Sequence, residues 1–148
     1  MSLIENRKAY FDYEILEKFE AGLELKGFEV KALKNGRGSL IGSRVIIRGN
    51  EAYVVGMDIQ PYQSANTPKD YDPQATRRLL LKKKEIAYLS GKSHEAGLTL
   101  IPLGIYTKKG FLKLAFGIGR GLKKYDKRER IKERETKRKI DREMKASV

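Results

Sequence analysis

The chain has 148 residues, which is enough for one domain and an extension. Basic residues exceed acidic residues by 13, and residues 120–148 alone hold 13 basic against 6 acidic residues. The absence of cysteine excludes disulfides and thiolate metal sites, and the single His94 excludes a two-histidine zinc site. The sequence shows no apolar run of membrane-spanning length and no signal-peptide pattern. We therefore expect a basic, cytoplasmic protein with a polyanionic partner, no metal and no cofactor.

The N-terminal half carries three local patterns. Apolar and charged residues alternate roughly between Tyr10 and Leu25, which favours a half-buried strand. A short helical pattern opens at Gly27 and ends near Asn35-Gly36. Residues 44–57 form two β-rich runs around Gly49-Asn50, and this dipeptide between such runs predicts a hairpin.

The next segment begins with a polar loop from Gln63 to Tyr71. Asp72-Pro73 then predicts the start of a helix, because aspartate is a good N-cap and proline is tolerated at the first helical position. Gly91 is the expected stop of that helix. The β-rich runs Leu98–Tyr106 and Phe111–Ile118 are joined by a Lys-Lys-Gly turn and predict a second hairpin.

Five or six strands, two interposed helices and glycine-rich turns predict a mainly β fold. For residues 1–122 we expect a small, closed, OB-like antiparallel β-barrel with flanking short helices. A two-layer α+β sheet is the alternative that the order of elements leaves open. Small barrels of this kind present loops and one sheet face to nucleic acid, which agrees with the basic charge.

Residues 123–148 form a basic C-terminal tail. From Asp126 onward glycine and proline are absent, helix formers dominate, and acid-before-base pairs recur at i,i+4. The large aliphatic residues are too sparse for a core-facing stripe, and an isolated helix of this length is marginal in water. We therefore expect a tail that is flexible when free and helical when bound. A solvated charged helix or a disordered end is the alternative, whereas an acidic membrane partner is disfavoured because large apolar residues are few.

The sequence offers little support for catalysis. The run Gly117-Ile118-Gly119-Arg120-Gly121 lacks the Lys-Ser/Thr of a phosphate loop and fits a strand-end turn. His94 is expected in a surface loop near a helix end. On a strand, neighbouring carboxylates divide between the two faces, which makes a paired-carboxylate hydrolase a weak alternative. The carboxylates concerned are Glu14, Glu17, Glu20 and Glu24. We expect a protein that is not an enzyme and has no catalytic residues.

Motifs along nearly the whole chain resemble the SmpB family, the SsrA-binding proteins of bacterial trans-translation. In chain order they are Asn6-Arg7-Lys8-Ala9, Phe19-Glu20-Ala21-Gly22-Leu23, Gly27-Phe28-Glu29-Val30-Lys31, Asp72-Pro73, Arg77-Arg78-Leu79-Leu80-Leu81, Glu85-Ile86, Gly97-Leu98-Thr99-Leu100-Ile101-Pro102-Leu103 and Lys123-Lys124-Tyr125-Asp126-Lys127-Arg128-Glu129. Each motif alone is modest, and the resemblance depends on their common order and spacing.

The resemblance implies a non-catalytic RNA-binding protein with an OB-like barrel. It would bind the tRNA-like domain of tmRNA and deliver this RNA to the empty A site of stalled ribosomes, for ribosome rescue and peptide tagging. The implied partners are tmRNA, the decoding centre and mRNA channel of the small ribosomal subunit, and elongation factor Tu with GTP through the tmRNA complex. The tail would fold as a helix in a vacant mRNA channel, from which bound mRNA would exclude it. We expect a monomer with no membrane partner.

The candidate site residues fall into two groups. The tmRNA contacts that the resemblance implies are Asn6, Arg7, Glu20, Leu80 and Lys113. The residues themselves leave open that Leu80 is a core residue and Glu20 a solvated strand residue. To this group we add a predicted basic helix face, which consists of Arg77, Arg78 and Lys82 to Lys84. The residues that match the decoding-centre and mRNA-channel contacts are Phe11, Tyr125, Asp126, Lys127, Arg128, Arg142, Glu143 and Met144.

Two positions depart from the family pattern. Phe11 stands where family members often have histidine, so this ring can stack on a base but cannot donate a hydrogen bond. Leu122 stands in a segment that is commonly lysine-rich in the family, which removes one positive charge. The competing functional hypothesis is a general OB-type RNA-binding or ribosome-assembly protein with a nonspecific basic arm. A third and weaker hypothesis is an enzyme that acts on RNA with the carboxylates of the first long strand.

Overall fold

The computed structural model describes residues 2–61, 65 and 67–146. Within these residues the chain forms nine strands and four α-helices. The strands are β1 (Ser2–Glu5), β2 (Tyr13–Leu23), β3 (Gly38–Ser39), β4 (Arg44–Arg48), β5 (Glu51–Val55), β6 (Asp58–Ile59), β7 (Arg77–Leu80), β8 (Leu98–Lys108) and β9 (Phe111–Gly121). The helices are α1 (Arg7–Asp12), α2 (Gly27–Lys34), α3 (Lys83–Ser93) and α4 (Lys124–Ala146).

Seven strands form one antiparallel sheet in the order β1-β8-β9-β2-β7-β5-β4, and β3 pairs with β6 in a separate small sheet. The mainly β, antiparallel class with a few helices is therefore confirmed. The expected closed barrel is wrong, because in the described residues the edge strands β1 and β4 are not paired with each other. The sheet curls so that β4 contacts β8. However, β1 already pairs with β8 there, so no closing ladder forms.

The hydrophobic core lies on one face of this sheet. Phe116 and Leu114 of β9 are fully buried, and Phe116 stacks on Phe19 of β2 with ring centroids 5.6 Å apart. Helices α2 and α3 cover the core with Leu33 and Leu89, which are also fully buried. Because side chains alternate along a strand, the intervening residues of β2, β8 and β9 point to the opposite face of the sheet.

Several local predictions are confirmed. The long strand β2, the helix that opens at Gly27 and both hairpins are present. Gly49 has φ of +62°, as expected at the tip of the first hairpin. The strand nevertheless begins at Tyr13 rather than Tyr10, because residues 7–12 form the short helix α1.

The predicted helix from Asp72-Pro73 is wrong in its first half, over residues 72–82. Asp72 instead accepts a hydrogen bond from the Gln74 main-chain N–H at 2.9 Å, which makes a local turn. The segment Arg77–Leu80 is strand β7, which pairs with β2 on one side and β5 on the other. The helix begins only at Lys83, and it continues beyond Gly91 to Ser93. Pairing on both edges outweighs the local helix signal.

The glycine-rich run at 117–121 is not a strand-end turn, because it lies within β9. The facing strand β2 has a β-bulge between Ile15 and Glu17. A Cβ atom on Gly117 would lie 2.7 Å from the Glu17 carbonyl oxygen and 2.8 Å from Ile15 Cγ2. Glycine is therefore required here by the close approach of the bulged strand.

The C-terminal tail forms helix α4, and its first turns are attached to α1. Lys127 Nζ lies 3.1 Å from Asp12 Oδ1. The Arg130 guanidinium donates to the main-chain oxygen of Tyr10 at 2.6 Å. Flexibility of the free tail, and folding on binding, stay predictions.

The predicted polar loop is only partly described. Residues 62–64 and 66 lie outside the described residues. At the end of the loop, the Tyr71 hydroxyl lies 2.9 Å from the Ile59 carbonyl oxygen and 3.2 Å from Glu29 Oε2. Contact with Glu29 ties this end of the loop to α2.

Candidate nucleic-acid interface

The outer face of the sheet, opposite the core, brings together three predicted RNA contacts. Leu80 pairs with Gly22, Gly22 with Lys113, and Lys113 with Tyr106, so these residues form one row across β7, β2, β9 and β8. Directly paired residues in antiparallel strands project to the same face. Glu20 lies two residues before Gly22 on β2 and shares that face. Leu80 is half exposed, so its assignment to the core does not hold.

Glu20 is held as an oriented anion on this face. The Tyr106 hydroxyl donates to Glu20 Oε2, and Lys108 Nζ lies 3.3 Å from Glu20 Oε1. The hydrogen bond from Tyr106 is the main cause that lowers the pKa of Glu20; desolvation opposes it, and Lys108 and Lys113 add to the lowering. Burial and Glu20 together raise the pKa of Tyr106 to about 12. Glu20 is thus ionised at neutral pH and can accept hydrogen bonds from ribose or base donors.

Helix α1 packs on the outer face, where Ala9 contacts Ile101 and Leu103 of β8. The Arg7 side chain is 92% exposed, and its Nε lies 3.4 Å from Glu5 Oε2. Arg7 and Tyr10 line a groove of about 300 Å³ together with Tyr106 and other residues of β8 and β9. Lys18 Nζ lies 5.4 Å from the centroid of the Tyr10 ring. Arginine, lysine and aromatic groups in this arrangement suit phosphate and base contacts.

Asn6 lies beneath the surface, in contrast to the other predicted contacts. Its side-chain amide donates to the main-chain oxygens of Pro102 at 2.8 Å and Leu40 at 3.3 Å. Its Oδ1 atom is buried without a hydrogen-bond partner in the described residues. The role that the geometry gives to Asn6 is to tie the start of α1 to β8, and direct RNA contact stays a prediction.

The basic helix face that we predicted from Arg77, Arg78 and Lys82 to Lys84 is wrong in part, because only Lys83 and Lys84 lie in helix α3, with Lys82 as its N-cap residue. Arg77 and Arg78 lie on strand β7, and the Arg77 side chain is 3% exposed. Its guanidinium donates to Glu29 Oε2 at 2.7 and 2.9 Å and to the Met57 carbonyl oxygen at 2.6 Å. A charge buried in this way supports the fold and is not available to RNA. Arg77 is therefore removed from the candidate interface.

Arg78 and Lys82 remain candidates. Arg78 is exposed, and its guanidinium lies 2.8 Å from Glu51 and 3.4 Å from Glu24, which raises its pKa. Lys82 is exposed and caps the N-terminus of α3. An RNA phosphate at Arg78 would compete with the two carboxylates, which weakens this site relative to Lys113.

The residues predicted to contact the ribosome lie on α1 and α4. Phe11 is half-buried on α1, and Lys127 is engaged by Asp12. The side chains of Tyr125 and Asp126 lie outside the described residues. The exposed residues of this group along α4 are Arg128, Arg142, Glu143 and Met144. At 1.5 Å per residue, the 23 residues of α4 span about 35 Å.

The carboxylates on β2 and just after it have separate partners. Glu17 accepts from the Tyr88 hydroxyl at 2.5 Å, whereas Glu24 lies beside Arg78. His94 is exposed at the end of α3, with Nδ1 2.6 Å from the Ser90 carbonyl oxygen. Among the described residues, no group of three or more histidine, aspartate or glutamate side chains could hold a metal ion. None of the helices in that part of the chain is both long and apolar enough to cross a membrane.

Sequence reasoning missed three aromatic residues of the outer face: Tyr10, Tyr106 and Phe111. A signal for Phe111 was present, since it alternates with Lys113 and is out of phase with the buried Leu112 and Leu114. An aromatic residue in the polar phase of a strand is expected on the solvent-exposed face.

The motif-based resemblance agrees with comparisons to known proteins. A family model described as SmpB protein matches residues 3–146. The chain belongs to the SmpB family. An SsrA-binding protein of Azoarcus sp. is 49% identical over 148 residues, which covers 100% of both chains. One of Gloeobacter violaceus is 51% identical over 142 residues, which covers 96% of this chain and 93% of that relative.

A solved SmpB structure also matches the fold. It comes from work on tmRNA–SmpB in the bacterial ribosome. Its chain is 43% identical to this one, with a TM-score of 0.69, and the match covers 82% of this chain and 85% of that chain.

Proposed function

We propose that this chain is a non-catalytic RNA-binding protein that binds the tRNA-like domain of tmRNA and delivers it to the empty A site of stalled ribosomes. The observation that carries the proposal is the convergence of Glu20, Leu80 and Lys113 on one sheet face in a member of the SmpB family. These residues lie far apart in sequence, and folding alone brings them together.

Binding in this scheme depends on shape and charge rather than on base sequence. The chain has a net charge of +13, and the curved sheet, which we propose to be an OB-like barrel left open, offers a broad face to folded RNA. Lys113 and Arg7 contact phosphate or sugar, and Glu20 accepts from ribose or base donors. The chain acts in the cytoplasm as a monomer.

The basic tail makes the second contact. Residues 1–122 bind tmRNA, and residues 123–148 enter the mRNA channel when no mRNA occupies it, ordering there as a helix. Asp126, Lys127 and Arg128 lie near the decoding centre together with Tyr125 and Phe11, and the segment Arg142-Glu143-Met144 lies further along. Elongation factor Tu with GTP joins through the tmRNA complex. Occupied channels exclude the tail by volume and by competition for the same cationic contacts.

Deleting residues 126–148 tests the division of labour. We expect affinity for the tRNA-like domain to stay nearly unchanged, whereas peptide tagging on ribosomes stalled at the end of an mRNA is abolished. A loss of RNA affinity in proportion to the lost charge would instead support a general RNA-binding protein with a nonspecific arm. Full tagging by the truncated chain would refute the role of the tail.

A matched pair of charge reversals tests the proposed face. Lys113→Glu removes one phosphate contact from the outer face, so the slope of log affinity against log salt should fall by about 1. Lys137→Glu changes the net charge equally but lies on α4. Fluorescence anisotropy with labelled tRNA-like domain should show a much larger loss for the first variant. Equal losses would contradict the assignment of the outer face.

A further inference from the structure

An apolar groove lies where the outer face meets α2, and its lining joins the proposed contacts Leu80 and Lys113 to apolar residues that have no assigned function. It has a volume of about 280 Å³ and lies between the start of β9, the end of β2 and α2. Leu80 and Phe111 are 50% and 71% exposed and line it, together with Leu25, Val30 and Lys113. Two large exposed apolar side chains at one groove indicate a binding site rather than scattered surface residues.

The groove owes its depth to Gly22. This residue stands between Leu80 and Lys113 in the row across the sheet and has no side chain to fill the space. A Cβ atom at this position would lie 3.2 Å from Leu80 Cβ. The Leu80 side chain therefore packs over Gly22, whose backbone forms part of the groove floor beside Lys113.

Phe111 is held at the rim by a tight turn. Lys109 and Gly110 join β8 to β9, and both have positive φ, at 51° and 81°, as a type I′ hairpin requires. The first residue after this turn is Phe111, which pairs across the hairpin with Lys108. Because the hairpin fixes its backbone, little ordering is lost when a ring stacks on Phe111.

We propose that this groove, which we call the Phe111 groove, takes one unstacked nucleobase of the bound RNA. The base stacks on the Phe111 ring and packs against Leu80, and Lys113 at the rim neutralises the adjoining phosphate. Charge complementarity favours a nucleotide over an apolar peptide side chain as the occupant of the groove. Lys113 lies on the wall of an otherwise apolar groove, so a base can fill the groove while its phosphate contacts the Lys113 ammonium group. This inference rests on the proposed function, and it adds a stacking contact to the shape and charge contacts.

The test measures binding of labelled tRNA-like domain to full-length variants over a range of KCl concentrations. Stacking of a base on an aromatic side chain corresponds to about a 5- to 150-fold change in affinity, and we expect a loss in this range for Phe111→Ala. The salt slope should not change, because no phosphate contact is lost, whereas Lys113→Met should lower it by about 1. Ile41→Ala is the control, since Ile41 is 65% exposed but does not line the groove.

Two further variants separate stacking from simple apolar contact. Phe111→Trp should retain affinity, and Phe111→Leu should lose it although an apolar side chain of similar size remains. Gly22→Val should also weaken binding because its side chain fills the groove, and circular dichroism verifies that each variant is folded. Wild-type affinity in Phe111→Ala or in Phe111→Leu would overturn the proposal.

Binding to a fully paired RNA duplex of similar length distinguishes failure of the proposed base site from failure of the proposed function. Such a duplex offers no unstacked base, so wild type and Phe111→Ala should bind it equally. An equal loss on duplex and tRNA-like domain would overturn the base site and favour a nonspecific contact. Failure of the wild-type chain to prefer the tRNA-like domain over the duplex would instead refute the proposed function itself.

Discussion

Substitution of Arg77 by methionine separates a structural charge from an RNA-binding charge. In the wild-type chain, Arg77 and Glu29 form a buried ion pair at 2.7 Å, with side chains 3% and 6% exposed. The substitution keeps an unbranched apolar side chain but leaves Glu29 buried with only Tyr71 and the Lys26 N–H as partners. We therefore expect a large loss of folding stability and no loss of RNA affinity in the molecules that remain folded.

The size of the loss follows from the bonds that disappear. Arg77 donates two hydrogen bonds to Glu29 and one to the Met57 carbonyl oxygen, which would also lose its partner. Removing one member of a buried ion pair costs about 3–5 kcal/mol, because the remaining charge is uncompensated. The total free energy of unfolding of a domain is about 5–15 kcal/mol. With a urea m-value of about 1–3 kcal/mol/M, the unfolding midpoint should fall by at least about 1 M.

Urea unfolding of three variants provides the assay. Arg77→Met should be much less stable than wild type, and the double variant Arg77→Met with Glu29→Leu should recover part of the loss because no buried charge remains. Arg78→Ala is the control, since Arg78 follows Arg77 on β7 but is exposed, and its removal should change stability far less. Equal stability of the Arg77 and Arg78 variants would refute the reasoning, as would a specific loss of RNA affinity in folded Arg77→Met.

Two further predictions concern the outer face and the sheet. Tyr106→Phe should raise the pKa of Glu20, because the hydroxyl is the main cause of its lowering, and carbon-13 NMR titration measures the shift. A carboxyl whose pKa is lowered by folding stabilises the fold at higher pH, and this contribution is lost as the pH falls through its folded-state pKa. In the Tyr106→Phe variant, the loss of folding stability on acidification should therefore be smaller than in wild type. Gly117→Ala should cost about 1–3 kcal/mol in urea unfolding, because its Cβ would contact the Glu17 carbonyl. Gly121→Ala, with open space around its Cβ, should cost far less, and the reverse order would contradict the packing argument.

Local patterns predicted the hairpins and the helix at Gly27, because their turn chemistry and hydrophobic period are encoded within a few residues. They failed at Asp72-Pro73, where a helix-start signal precedes a strand. The strand Arg77–Leu80 exists because β2 and β5 pair with its two edges, and these partners lie 20 or more residues away in sequence. No local window contains that information.

The candidate site shows the same limit. The family resemblance supplied Glu20, Leu80 and Lys113, but only the strand registers place them on one face. Arg77 was assigned to RNA as part of a predicted basic helix face, because its buried partner Glu29 lies 48 residues away and no local pattern shows the pairing. Phe111 was missed as a surface residue. Its alternation with Lys113 predicts exposure, but this segment was used only to predict the second hairpin.

The short helix α1 lies between the two proposed binding surfaces. Arg7 and Tyr10 line the groove on the outer face, whereas Asp12 binds Lys127 of α4. Arg130 adds a cationic cap to the end of α1, where its guanidinium donates to the Tyr10 carbonyl. The predicted boundary after residue 122 therefore marks a change in composition, yet bonds from α4 cross it. Those bonds end on α1, the helix that also carries Arg7. The contacts that orient the first turns of α4 therefore lie beside the proposed RNA face.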